Sequence, residues 1–170
     1  MHASVRLAIV STMVGLAAVF AAARPADAQV IGYAIAGPAG FTGFFGDSAQ
    51  ALHAAGGAEV LAGGRIGAAG EFGLLVNPDS GLWVTSINAV YHFVPSRPGA
   101  VRSRVSPFVT AGYTRMHSGE GSFDGWNAGA GADIWLRPRA ALRIEFRDHI
   151  RPDARGEVQY WTFRAGIAFR

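Results

Sequence analysis

Acidic and basic side chains recur at every second position of the segment AALRIEFRDHI, 140–150, where Arg143, Glu145 and Arg147 alternate with apolar residues. Carboxylate and guanidinium groups held together in a fold could act in catalysis, or could neutralise one another as buried pairs. Residues of the same types stand singly in other segments. The candidate set comprises Glu59, Glu71, Asp133, Arg143, Glu145, Arg147 and Arg164.

Other reactive residue types are scarce. All fifteen basic residues are arginine and there is no cysteine, which excludes lysine Schiff bases, thiolate nucleophiles, disulfides and cysteine-based metal sites. The arginines are scattered along the chain, so the sequence predicts no nucleic-acid partner. His53, His92, His117 and His149 lack metal-ligand spacing, and we expect each to be a polar residue of a loop or strand end. The sequence therefore predicts no metal and no cofactor.

The elements that must position the charged residues are strands. Strict alternation of apolar and polar residues has the period of a β-strand, and turn residues separate the alternating segments. Half of the 170 residues are hydrophobic, only 16% are charged, and 23 are glycine, which argues against a mainly helical protein. Pro38 interrupts the first segment, which we interpret as a single bulged strand. The eight predicted strands are 30–46, 55–64, 66–76, 82–93, 105–115, 126–136, 140–150 and 157–169.

Aromatic residues lie near the ends of these predicted strands. One row comprises Trp83, Tyr113, Trp126 and Trp161, and the other Tyr91, Phe93 and Phe169. Such rings favour the headgroup level of a bilayer, and the uncharged faces between the two rows are typical of the outside of a membrane barrel. The opposite faces carry glycine, small polar residues and the charged set, which would then point into a narrow lumen. The alternative is a secreted, soluble, lipocalin-like ligand-binding barrel with the two faces exchanged.

The pattern resembles the small eight-stranded outer-membrane barrels of Gram-negative bacteria, of the OmpA/OmpX type. PFVTAGYT, WNAGAGADIWLRPRAALRIEFR and the alternating C-terminus carry the resemblance, which extends over most of the chain. It implies a closed, antiparallel, up-and-down, all-β transmembrane barrel that is monomeric and contacts outer-membrane lipid. It also implies that the barrel assembly machinery recognises the last strand, whose final aromatic, Phe169, is here followed by Arg170.

The N-terminus has the pattern of a cleavable helical signal peptide. Seventeen uncharged residues follow MHASVR, and Ala26-Asp27-Ala28 fits the small-x-small cleavage rule. An uncleaved helical anchor is the alternative, since seventeen residues approach the length of a membrane span. We therefore predict a signal peptide over 1–28, export from the cytoplasm, and a barrel domain over 29–170.

These observations predict a structural or interaction protein of the outer membrane rather than an enzyme. Its surface contacts would be made by outward loops near 47–54, 77–81, 117–125 and 151–157. The alternative on the same fold is a lipid-modifying enzyme. Resemblance to lipid A deacylases implies a histidine followed two residues later by serine, but Arg151 stands in that place after His149 and Ser118 directly follows His117.

Overall fold

The computed structural model describes residues 28–42, 50–78, 81–94, 104–119, 121–153 and 156–170. Eight antiparallel strands follow one another around a closed barrel, and β1 closes it by pairing with β8. The predicted fold class and strand order are confirmed. The strands are β1 (Ala28–Thr42), β2 (Gln50–Ala62), β3 (Ile66–Val76), β4 (Gly81–His92), β5 (Val105–Ser118), β6 (Gly121–Arg137), β7 (Ala140–Asp153) and β8 (Gly156–Phe169).

Several strands extend further than the apolar alternation predicted. The predicted loops at 47–54, 117–125 and 151–157 are wrong in part, because β2 begins at Gln50, β5 and β6 reach Ser118 and Gly121, and β7 ends at Asp153. The predicted loop 77–81 ends where β4 begins. Hydrogen bonds between strands need no apolar face, so a ladder continues where its side chains turn polar on both faces. The connections are therefore shorter than the sequence suggested.

The first strand runs through Pro38 without the bulge predicted there. The pairing of β1 with β2 keeps one register from Ala28 to Gly40, whereas the pairing with β8 is interrupted at Gly37 and Pro38 and then resumes in the same register. Pro38 has no N–H to donate, so the strand tolerates it where the ladder to β8 is open. An irregularity of this kind lies elsewhere in the barrel, where the register of β6 against β7 shifts between Trp135 and Arg137.

The N-terminal targeting prediction lies outside the described residues, apart from Ala28, which is the first residue of β1 and pairs with Ala62. The described residues include no helix long and apolar enough to cross a membrane.

The two ends of the barrel differ in their connections. The end that carries Ala28 and Phe169, called here the terminal end, also carries the turn between β2 and β3. Gly63 and Gly64 have φ values of 59° and 69°, the positive values required at the two central positions of a type I′ turn, which the N–H of Arg65 closes by donating to the Ala62 carbonyl at 3.1 Å. The opposite end, called here the far end, carries the turn between β5 and β6.

Large apolar side chains cover the outside of the barrel. Tight strand pairing leaves an eight-stranded interior only wide enough for side chains, so the inward positions are filled and the outward ones have no protein to pack against. The exposed members are Val30, Leu52, Ile66, Phe72, Trp83, Ile87, Tyr91, Phe93, Val105, Val109, Trp126, Leu136, Leu142, Ile144, Phe146, Ile150, Trp161, Phe163, Ile167 and Phe169. A soluble, lipocalin-like barrel requires the opposite arrangement, and that alternative is wrong.

Candidate functional site

The buried charged residues nearest the terminal end form one cluster with a histidine, called here the terminal network: Glu59, His92, Asp133 and Arg143. Arg143 on β7 donates from Nε and Nη2 to Asp133 at 2.8 and 3.1 Å, and also pairs with Glu59. Its guanidinium carbon lies 4.4 Å from the ring centre of Tyr33 and 4.5 Å from that of Phe108. The two rings and two carboxylates fix this buried cation in one place.

His92 extends the terminal network across the lumen. Its Nε2 lies 3.2 Å from a Glu59 oxygen and its Nδ1 lies 3.2 Å from Ser106 Oγ. Ligand atoms of Glu59, His92 and Asp133 all lie within 4.8 Å of one another, a grouping that could hold a metal ion. The Arg143 guanidinium already contacts both carboxylates, so it supplies the positive charge that such a grouping attracts.

The second cluster, called here the central network, comprises Glu71, Glu145, Arg147 and Arg164. Arg164 donates to Glu71 at 2.7 and 3.2 Å, and its Nη2 lies 3.1 Å from Glu145 Oε1. Arg147 bridges the same two acids, with its Nη2 2.5 Å from Glu145 and its Nη1 3.3 Å from Glu71. The Tyr33 hydroxyl donates to Glu71 at 3.1 Å. Two acids and two arginines therefore compensate one another in a closed ring of contacts.

The structure thus places all seven charged residues of the predicted set inside the barrel, each almost entirely buried. Burying a charge is costly unless it is paired and hydrogen-bonded, and every one of the seven has an ion-pair partner of opposite sign. Their ion pairs connect β7 with β2 and β6, and β8 with β3, across the interior.

Three histidines lie inside the barrel with these networks, and all of them, His53, His92 and His149, are fully buried. The prediction of a loop or strand-end position is wrong for His53 and His149, which lie within β2 and β7, whereas His92 is the last residue of β4. The His149 ring stacks on Tyr160 with centroids 4.0 Å apart. His53 Nδ1 lies 3.3 Å from Arg164 Nη1. The alternation of the strands did indicate this burial. His53 and Glu59 are an even number of positions apart on β2 and therefore point to the same side, as do His149 and Arg147 on β7.

Apolar side chains share the interior of the barrel with the charges. One apolar cluster, towards the terminal end, comprises Ile31, Tyr33, Ile35, Leu61, Ala69, Val90, Ala141 and Ala168, and the other, towards the far end, comprises Ala39, Leu75, Val84, Met116 and Tyr160. The sequence predicted glycine, small polar and charged residues on the inward faces and did not predict these clusters. The described part of the lumen therefore holds apolar as well as charged side chains.

The seven predicted interface aromatics lie on the outer surface in two rows. Towards the far end, Trp83 stacks on Phe72 at 5.1 Å, and Tyr113 meets Trp126 edge to face at 6.1 Å. Towards the terminal end, Tyr91 meets Phe93 edge to face at 5.2 Å. The remaining two are exposed as well, Trp161 towards the far end and Phe169 at the terminal end.

The hairpin of β5 and β6 continues beyond the far row of aromatics. Its ladder runs five further residue pairs from Tyr113 and Trp126 to Ser118 and Gly121, about 17 Å along the strand at 3.4 Å per residue. Arg115 Nε lies 3.6 Å from Asp124, which also accepts a hydrogen bond from Tyr113. Arg115 and Asp124 are exposed on the outer face of this segment, whereas Thr114 and Met116 are buried on its inner face.

The same hairpin brings a histidine and a serine together that are not adjacent in sequence. His117 Nδ1 lies 2.9 Å from Ser122 Oγ. The sequence indicated Ser118 and not Ser122 as the neighbour of His117, because 117–125 has the composition of a loop and a loop predicts no strand register. Asp124, the nearby carboxylate, is engaged by Tyr113 and Arg115 instead of His117.

Solved structures with the same fold include three small bacterial barrels. Neisserial surface protein A is 18% identical over 84% of this chain and 97% of its own, with a TM-score of 0.66. The N-terminal β-barrel domain of Pseudomonas aeruginosa OprF is 19% identical over 81% of this chain and 96% of its own, at 0.58. Ail, the attachment invasion locus protein of Yersinia pestis, is 14% identical over 83% and 99%, at 0.50.

A comparison with curated proteins finds no match. The family model described as "Outer membrane protein beta-barrel domain" matches residues 12–170, which include both charge networks and both rows of aromatics. The exposed apolar surface and closed eight-stranded ladder are the features such a family requires. The chain is a member of the outer membrane protein β-barrel domain family.

Proposed function

We propose that this chain is an integral protein of the Gram-negative outer membrane whose role is structural or interactive rather than enzymatic. The observation that supports the proposal is the combination of an apolar outer surface with an interior that holds paired charges and buried apolar clusters. Such a barrel offers lipid an uncharged belt and has no wide path for solutes. Outer-membrane lipid is then its permanent partner, and one chain closes its own sheet as a monomer.

The termini face the periplasm in this proposal, and the far end faces outward. The hairpin of β5 and β6 is then the contact surface, because it extends beyond Tyr113 and Trp126 and exposes Arg115 and Asp124. Ail shares the fold and its name denotes attachment, which supports a contact role by analogy of fold alone.

Assembly in this proposal uses the last strand as its signal to the barrel assembly machinery. Phe169 is exposed at the end of β8, and the backbone of Arg170 donates to Arg139 on the adjacent turn at 3.3 Å. The terminal arginine therefore lies against the turn between β6 and β7 and leaves the Phe169 ring on the outer surface.

The orientation is tested by epitope insertion. We expect a short epitope placed after Gly119 to bind antibody on intact cells, because this turn ends the far hairpin. The matched insertion after Pro138, in the turn between β6 and β7, is expected to bind only after the outer membrane is permeabilised. Both variants should migrate as folded barrels on an unheated gel. Antibody binding to the Pro138 insertion alone on intact cells would contradict the proposal.

A lipid-modifying enzyme remains the second candidate because of the hydrogen bond between His117 and Ser122. We expect no change in the mass spectrum of lipid A when His117→Ala or Ser122→Ala replaces the wild-type protein in cells. Among the residues that the structure describes, no carboxylate orients His117, because Asp124 is engaged by Tyr113 and Arg115, and His149 is fully buried inside the barrel. An acyl-chain loss that depends on the wild-type protein and disappears in both variants would establish the enzyme instead.

A further inference from the structure

Five arginines that are scattered in the sequence come together at the terminal end of the barrel. This basic rim comprises Arg65, Arg104, Arg137, Arg139 and Arg170. Arg65 follows the turn between β2 and β3, Arg104 precedes β5, and the other three surround the turn between β6 and β7 and the end of β8. The arginines are scattered along the chain and come to one end only when the strands close into the barrel, so their positions in the sequence did not predict a cluster.

Backbone hydrogen bonds fix the basic rim to neighbouring strand ends. The carbonyl of Arg65 accepts from the N–H of His92 at 2.7 Å, and that of Arg104 accepts from Trp135 at 2.7 Å. The carbonyl of Arg139 accepts from Arg170. The backbone of the basic rim is therefore hydrogen-bonded to the ends of the strands that it adjoins.

Four of the five side chains of the basic rim have no acidic partner in the described part of the chain. Within the described ranges, Arg65, Arg104, Arg137 and Arg139 are exposed and form no ion pair, and the nearest acids, Glu59 and Asp133, are buried against Arg143. At the far end, by contrast, Arg115 pairs with Asp124.

Arg170 is held differently from the other members of the basic rim. Its Nε donates to the carbonyl of Pro138 at 2.9 Å, and its guanidinium carbon lies 3.9 Å from the ring centre of Trp135. The stacking fixes one cation of the rim beside the arginines of the turn between β6 and β7.

The basic rim borders the apolar belt directly. Ile66 follows Arg65 and Leu136 precedes Arg137, and both side chains are more than 60% exposed, next to the row of Tyr91, Phe93 and Phe169. Arginine side chains at such a boundary place their charge at headgroup depth. A guanidinium matches a phosphate with two parallel hydrogen bonds, and this chain uses arginine for every basic position.

We propose that the basic rim binds the phosphate groups of anionic phospholipids in the periplasm-facing leaflet. The leaflet assignment rests on the proposed orientation of the barrel, whereas the lipid preference does not. Charge complementarity at headgroup depth favours lipid over a soluble periplasmic polyanion, because the cations surround the edge of a lipid-facing surface. The bound lipids would fix the depth of the terminal end in the membrane.

The preference is measured on the folded protein in phosphatidylcholine bilayers by electron paramagnetic resonance of spin-labelled lipids. We expect phosphatidylglycerol to associate about two to five times more strongly than phosphatidylcholine at low salt, and this ratio to fall towards one in 1 M NaCl. Replacing both arginines, as Arg137→Gln with Arg139→Gln, should remove at least half of the excess affinity for phosphatidylglycerol over phosphatidylcholine. Arg137→Glu with Arg139→Glu should remove more.

The control is Arg115→Gln with Arg151→Gln, the same charge change at the far end, and it should keep the wild-type ratio. All variants are first checked for folded migration on an unheated gel. A wild-type ratio of one, or an equal fall in the control, would overturn the proposal. So would tight binding of soluble polyphosphate without any preference for phosphatidylglycerol. An inverted epitope result with the lipid preference intact would overturn only the orientation.

Discussion

Replacing Arg164 by methionine is expected to lower the free energy of unfolding by about 3–5 kcal/mol, the cost of leaving buried charge unpaired. Arg164 is fully buried and contacts both Glu71 and Glu145. Its loss leaves two carboxylates of the central network with only Arg147 between them, in an interior where neither carboxylate can reach bulk water. Urea titration followed by the ratio of folded to unfolded bands on an unheated gel measures the change.

The matched control for Arg164→Met is Arg115→Met, which removes an arginine from a solvent-exposed pair with Asp124. We expect it to cost less than about 1 kcal/mol, as exposed ion pairs do. The double variant Arg164→Met with Glu145→Met restores a one-to-one pair between Glu71 and Arg147. It should therefore recover much of the lost stability. If Arg164→Met and Arg115→Met lowered the free energy of unfolding equally, the central network would contribute no more to stability than a surface ion pair.

The inward direction of the charged residues could be predicted from the sequence, but their partners could not. Alternation fixes the face of Arg143 or Glu145, since side chains on a strand change face at every residue. Pairing depends on register and on the stagger of the closed barrel, which bring Arg143 to Glu59 across 84 positions of sequence. No local pattern in either segment encodes that distance.

The polar ends of the strands were the other limit of prediction. The segment 121–125 has glycine, serine and aspartate in the pattern of a loop, yet it belongs to β6 and pairs with β5. Beyond the lipid-facing belt, neither side of a strand needs an apolar residue, so the signal that identifies the strand disappears while its hydrogen bonds remain. The contact between His117 and Ser122 was missed for this reason.

The direction of the two faces can be tested with a charge placed outside the barrel. Ile144 is exposed between the inward residues Arg143 and Glu145, and it pairs with Ala132 and Ala165 between the two aromatic rows. We expect Ile144→Arg to lower the free energy of unfolding in lipid by about 2–4 kcal/mol, because a cation would face acyl chains near the middle of the bilayer. Ile144→Met, which keeps the side chain apolar, should cost less than about 1.5 kcal/mol.

The matched substitution at the membrane edge is Leu136→Arg. Leu136 is 72% exposed and lies beside Arg137 on the basic rim, so the new guanidinium can reach headgroups and water. The cost there should be only about 0–1 kcal/mol. The difference between the stability costs of Ile144→Arg and Leu136→Arg measures depth in the bilayer, since both substitutions add the same group to an outward-facing position. If Ile144→Arg and Leu136→Arg had equal, small effects, the outer face would be in water, because surface substitutions of soluble proteins usually change stability by less than about 0.5 kcal/mol.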